Sequence, residues 1–91
     1  MSREPTFDVT CMGCVCWDFV AVVSRYPGPD EKAELSQLLQ QGGGPAGTAA
    51  VTVARLGGHA AMWGTAGDDD FGRKCIQEFQ QERVDVTHVV V

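Results

Sequence analysis

The chain predicts an α/β fold: a parallel sheet joined by right-handed helical crossovers. Three observations lead there. After Gly42 the pattern alternates helix, strand, helix, strand, and a strand pattern also opens the chain. The segment Ala46–Leu56 is nonpolar nearly all round, with Arg55 its one charge, so a helix there is packed on most sides. The apolar run His59–Thr65 has strand length and sits between two helix patterns.

Each element has its own reason. Phe7–Cys14 (FDVTCMGC) is β-rich and reads as a first, buried strand. Trp17–Arg25 (WDFVAVVSR) is a second β-rich run, broken by the turn signal Tyr26-Pro27-Gly28-Pro29-Asp30. Glu31–Gln41 (EKAELSQLLQQ) carries helical propensity. Its place between a Pro/Gly turn and a glycine run also allows a strand that pairs back on residues 18–25, and both readings stand. Gly42–Gly44 opens the helix Ala46–Leu56, with Pro45 in the first turn, where its missing N–H costs nothing. Gly57-Gly58 ends that helix. After the strand His59–Thr65, the acidic turn Gly67–Asp70 supplies an N-cap from Asp69 or Asp70, and acid there suits the helix dipole. Phe71–Glu82 (FGRKCIQEFQQE) is amphipathic, with Phe71, Cys75, Ile76 and Phe79 on one stripe. Val84–Val91 (VDVTHVVV) closes as a strand. A truncated parallel sheet of this kind exposes an edge and an apolar face, which favours partnering or aggregation.

Composition narrows the function classes. Ninety-one residues make one small domain or a piece of a larger one. The net charge is -5 and the pI about 4.7, with no basic stripe, so neither nucleic acid nor an anionic membrane surface is an expected partner. No apolar run approaches the roughly 20 residues of a membrane helix. MSREPTFDV lacks the apolar core of a signal peptide, and a cytoplasmic location is the default expectation. Cysteines 11, 14, 16 and 75 are then expected as free thiols. Strand alternation puts Cys11 on the face opposite Cys14, and no second Cys/His pair follows at finger spacing, so a metal cluster is not expected. A thioredoxin-like role fails as well, since no helix N-terminus follows Cys11.

Other candidates have plain structural readings. Gly42–Gly44 is no phosphate-cradling P-loop, because the Lys-Ser/Thr that completes that motif is missing. A dinucleotide-binding βαβ unit would need its glycines directly after the first strand, and here they lie elsewhere. Asp68–Asp70 is three consecutive acids before a helix, a cap rather than a calcium loop with alternating ligands. His59 and His88 are unpartnered in strand-like runs and read as structural. Trp17 and Trp63 are core or lid aromatics, and Trp17, next to Asp18, has the further option of stacking on a ligand.

Four landmarks in order then point to a family. The run Gly43-Gly44-Pro45-Ala46-Gly47-Thr48-Ala49-Ala50, followed by Gly57 and Gly67, resembles the N-terminal signature of the ribokinase-like (PfkB) carbohydrate kinases. All of it fits except an Asn, whose place Thr48 takes. A first strand running to Gly13 and then Asp18, and the Gly-x-Asp-x-x-Gly turn of Gly67, Asp69 and Gly72, agree with it. The resemblance covers essentially the whole chain and implies a partial three-layer ribokinase-like fold, a parallel sheet with helices plus a small β-lid.

The resemblance also implies an activity: transfer of the ATP γ-phosphate to a hydroxyl of a sugar or nucleoside. Asp18, Gly43, Gly44 and Thr48 would bind that acceptor. A carboxylate is acceptor-only and takes two donors from a vicinal diol. Gly43 and Gly44 let the backbone approach closely. Thr48 offers one hydroxyl where an amide would both donate and accept. Residues 18–41 would form the β-lid, with strands 18–25 and 32–41 and with 31–41 extended despite its helical propensity, and the lid is the expected homodimer contact. At Arg83 the family usually has glycine; an arginine in a left-handed conformation there would cost about 1 kcal/mol, unless the turn has another shape. ATP and Mg²⁺ serve the family's full-length enzymes. The Gly-Ala-Gly-Asp type motif that carries their catalytic base does not occur in these 91 residues. Gly67-Asp68 falls where the N-terminal glycine-acid turn belongs and is not assigned that role. The chain by itself is therefore expected to bind nucleotide poorly, to bind acceptor and to lack kinase activity. The alternative is a non-catalytic truncated module, or an interaction domain on the same scaffold.

Overall fold

The computed structural model describes residues 7–91. The reading of Met1–Thr6 as part of no signal peptide lies outside the described residues. In chain order the elements are β1 (Val9–Met12), β2 (Cys16–Val22), β3 (Gln37–Gly43), α1 (Pro45–Arg55), β4 (Ala60–Thr65), α2 (Asp70–Gln81) and β5 (Val89–Val90).

They form two sheets. β1, β4 and β5 make a parallel sheet with β4 in the middle. β2 and β3 make a separate antiparallel hairpin. The parallel register pairs Val9 with Ala60 and Cys11 with Met62. These positions share one pleat face, and that face meets both helices in a common core of Cys11, Ala50, Ala60, Met62, Phe79 and Val84. α1 and α2 therefore cover the same side of the sheet, as successive right-handed crossovers moving one way require. The other face carries Met12, Trp63 and Val90, all exposed. The partial α/β fold with its small lid is thus the one expected from sequence.

Local chemistry explains the boundaries. α1 begins with Gly44 as N-cap and Pro45 in its first turn, as expected. Between the two candidate caps of α2, Asp69 is the one used: its carboxylate accepts from the Gly72 amide at 2.7 Å. Gly72 has no substitute there, since a Cβ would strike the Gly67 carbonyl. Asp70 and Asp68 instead face Arg73, so this acidic triplet is a capped, salt-bridged helix start.

Both helices end in the same way. In α1 the Gly58 amide reaches back to the Val53 carbonyl and Gly57 to Ala54, with Gly57 at φ 93. In α2 Val84 donates to Phe79 and Arg83 to Gln80, with Arg83 at φ 64. Each is a Schellman ending, which needs a left-handed residue at the first position beyond the cap. Arg83 occupies the glycine position in a strained conformation, so the first of the two expected outcomes at that turn is the real one.

Two expectations need correction. The last strand does not run through Val84–Val91. Asp85 makes one isolated bridge to Ala61, then its carboxylate accepts from the Thr87 amide and hydroxyl, both at 3.0 Å. That local turn uses backbone groups the ladder needs, and only Val89–Val90 resumes the strand. In Glu31–Gln41 the helical reading fails: the strand is Gln37–Gly43, and it takes in two of the glycines read as the helix opening. Gln41 faces Asp18 and Leu39 faces Val20 across the hairpin, and this pairing overrides propensity.

Candidate functional site

The hairpin and the start of α1 converge at the glycine run. Cys16 pairs with Gly43, Trp17 with Gly42, and Asp18 with Gln41. Cys16, Asp18 and Gly43 therefore project from one pleat face. Asp18 leans over Gly43, and a Cβ on Gly43 would overlap its carboxylate. Gly43 is glycine because that space belongs to Asp18. Gly44 is glycine for another reason: it sits at φ 90 with the Cys14 carbonyl where a Cβ would be.

The Asp18 side chain is exposed, and among the described residues no hydrogen bond occupies it. Thr48 lies in the first turn of α1, its amide bonded to the Gly44 carbonyl at 2.9 Å and its side chain exposed. A cleft of about 510 Å³ opens between α1 and α2, bordered by Gly42, Gly43, Thr48 and Glu78. Asp18 is not among its walls. The structure thus brings Asp18 to Gly43, and Gly43 to the cleft that holds Thr48, but does not place Asp18 and Thr48 in one cavity.

α2 supports this arrangement along a stripe that sequence reading passed over. Phe71 meets Phe19 edge to face with ring centroids 5.6 Å apart. The Lys74 ammonium stands 5.7 Å from the Trp17 ring centre. The Glu78 carboxylate accepts from the Gly42 amide with both oxygens at 3.1 Å. Residues 71, 74 and 78 follow helical i, i+3, i+7 spacing, which is the only sequence signal of this contact. The Trp17 indole N–H donates to Gln40 at 3.0 Å, so Trp17 is fixed at the base of the hairpin.

The thiols are structural. All four cysteines are free; Cys11 is buried in β1, whereas Cys14 is exposed beyond the end of that strand, so strand alternation does not relate the two. Burial pushes the Cys75 thiol up from its ordinary 9.0, and nearby acids including Glu78, Asp18 and Asp69 add to that, so it stays protonated. Among the described residues no group of three acidic, His or Cys side chains has the arrangement to hold a metal ion. His88 packs against Trp63 at 4.7 Å, on the sheet face away from the helices. No helix among the described residues is long and apolar enough to cross a membrane.

Comparison with known proteins places this geometry. A family model described as pfkB family carbohydrate kinase matches residues 6–91. Fructokinase-like 1, chloroplastic, of Arabidopsis thaliana is 38% identical over 86 residues, covering 84% of this chain and 18% of that protein. The crystal structure of fructokinase with bound ATP from Xylella fastidiosa superposes with a TM-score of 0.70 at 32% identity, over 90% of this chain and 22% of its own. That of aminoimidazole riboside kinase from Salmonella enterica, complexed with aminoimidazole riboside and an ATP analog, has a TM-score of 0.66 at 36% identity, over 86% and 23%. The chain spans about a fifth of the length of the relatives it matches.

Proposed function

Since the chain belongs to the pfkB family of carbohydrate kinases, we propose that it is the acceptor-binding part of an ATP-dependent sugar kinase. The observation that carries this reading is the exposed, unpaired Asp18 carboxylate held over a glycine that leaves it room.

The chemistry follows from the groups present. Asp18 accepts hydrogen bonds from two adjacent hydroxyls of a sugar or nucleoside and so orients the ring. The main chain at Gly43 and Gly44 comes close to the acceptor, and the Thr48 hydroxyl lies one helical turn further on. The hairpin β2–β3 acts as the lid, and its exposed Val20, Val22 and Leu39, which share one face, are the contact for a second copy.

The residues described here do not fit a nucleotide or Mg²⁺ site. Asp69 caps α2 and Asp68 and Asp70 face Arg73, and the phosphate-binding Lys-Ser/Thr of a P-loop is not in the sequence. In the whole kinase, ATP, Mg²⁺ and the group that takes the acceptor proton are assigned to its remaining part. This chain's work is positional: a hydroxyl held in one orientation reacts as an intramolecular group would.

Two assays test this. Fructose and ribose should bind the chain, and Asp18→Asn should weaken binding at least tenfold, because the amide presents one acceptor oxygen and no charge. Unchanged affinity in Asp18→Asn would sink the assignment. The isolated chain with ATP and a sugar panel should give no turnover, and clear turnover would show that it contains the phosphoryl-transfer machinery.

A further inference from the structure

We propose that Glu78 is a positioning residue: its bifurcated hold on the Gly42 N–H keeps the Gly42–Gly43 segment seated beneath Asp18. The inference rests on the acceptor-site reading above, but its own test does not depend on sugar binding.

Three observations carry it. Glu78 and Gly42 are 36 residues apart, and both carboxylate oxygens lie 3.1 Å from one amide in a partly buried setting. The acceptor is a carboxylate, and both of its oxygens share the one N–H. Second, Glu78 packs directly onto Gly42: a Cβ there would meet the Glu78 carboxylate, and the φ of Gly42 is not left-handed. The glycine and the glutamate thus form a matched pair. Third, the next residue is Gly43, the one under the Asp18 carboxylate. An error in the position of Gly42 passes directly to Gly43, because a peptide unit is rigid.

Position matters more here than bond strength. Asp18 is exposed and has no hydrogen bond to fix it, so its place depends on where the two paired strands sit. The hairpin buries none of its own residues. Its seat on the rest of the molecule is the stripe Phe71, Lys74 and Glu78, and Glu78 is the member nearest the glycines.

The test uses ¹⁵N-labelled chain and nuclear magnetic resonance. In wild type, the Gly42 amide should be protected from exchange with solvent, as an N–H held by a carboxylate is. Glu78→Gln should lower that protection and displace the Asp18 and Gly43 signals, while Gln77→Ala, an exposed neighbour on α2, should do neither. Glu78→Gln should also weaken fructose or ribose binding about tenfold while Gln77→Ala leaves it unchanged. Undiminished protection of the Gly42 amide in Glu78→Gln, or unmoved Asp18 and Gly43 signals, overturns the role of Glu78. If wild type binds neither sugar, the acceptor reading falls, and the Gly42, Asp18 and Gly43 signals still decide whether Glu78 seats the loop.

Discussion

In the parallel sheet, Cys11, Ala60 and Met62 turn toward α1 and α2 and are almost wholly removed from water. In the hairpin no residue of β2 or β3 is buried, and Phe19 is 54% exposed. The parallel strands carry no Gln and no charge while β3 carries three Gln, and the first sheet is held by burial, the second by main-chain pairing and three contacts with α2. Burial gives a fixed platform. Pairing without burial gives an element with few apolar contacts, drawn from the less stable end of the molecule, as binding lids are. The residues proposed to bind the acceptor sit where the two meet: Asp18 on the hairpin, Thr48 on the platform, and the glycines between.

The largest test of this contrast is a pair of aromatic truncations. Phe79→Ala should destabilise the fold by about 3–5 kcal/mol, since it empties a core site shared by both helices. Phe19→Ala should cost about 1 kcal/mol, the scale of an exposed aromatic pair. Both are read by urea denaturation, and equal losses would break the distinction between platform and lid.

A smaller effect lies at the end of α2. Arg83→Gly should stabilise the chain by about 1 kcal/mol, because glycine adopts the left-handed conformation without strain. The equivalent change at α1 runs the other way: Gly57→Ala, with open space around it, should destabilise through backbone strain alone. A destabilised Arg83→Gly would mean that the arginine side chain contributes more than its backbone loses.

The smallest effect is on pH. A hydrogen bond from Arg55 holds the Glu82 carboxyl below its ordinary 4.5, and one from Arg73 holds Asp70 below 3.8. Both folded values are depressed, so their stabilisation is present above those ordinary values and is lost as pH falls through the folded ones. Both pairs are on the surface, and their contribution is small. Denaturation midpoints should therefore fall below about pH 4.5, and Glu82→Gln should flatten part of that fall. An unchanged slope in Glu82→Gln would remove this pair from the account.

How much was legible follows the same division. The helices, their caps and the central strand were readable because each depends on nearby residues: Pro45, Gly57, Asp69, and an apolar run between two helices. The glycine landmarks and Asp18 were readable from their order. The hairpin was not settled by its own residues, since Glu31–Gln41 is rich in good helix formers, and only pairing with β2 makes part of it a strand. The strand reading of Val84–Val91 missed that Asp85 offers the backbone a local alternative through Thr87. Glu78 was invisible as a site residue, because nothing local links a helix carboxylate to an amide 36 positions earlier.

The most direct measurement of the central claim is a titration of the ¹⁵N-labelled chain with fructose and with ribose, followed residue by residue. At least one sugar should shift the signals of Asp18, Gly43, Gly44 and Thr48 together, with the platform strands unmoved, and Asp18→Asn should remove those shifts. Shifts confined to other residues, or the same shifts retained in Asp18→Asn, would contradict that claim.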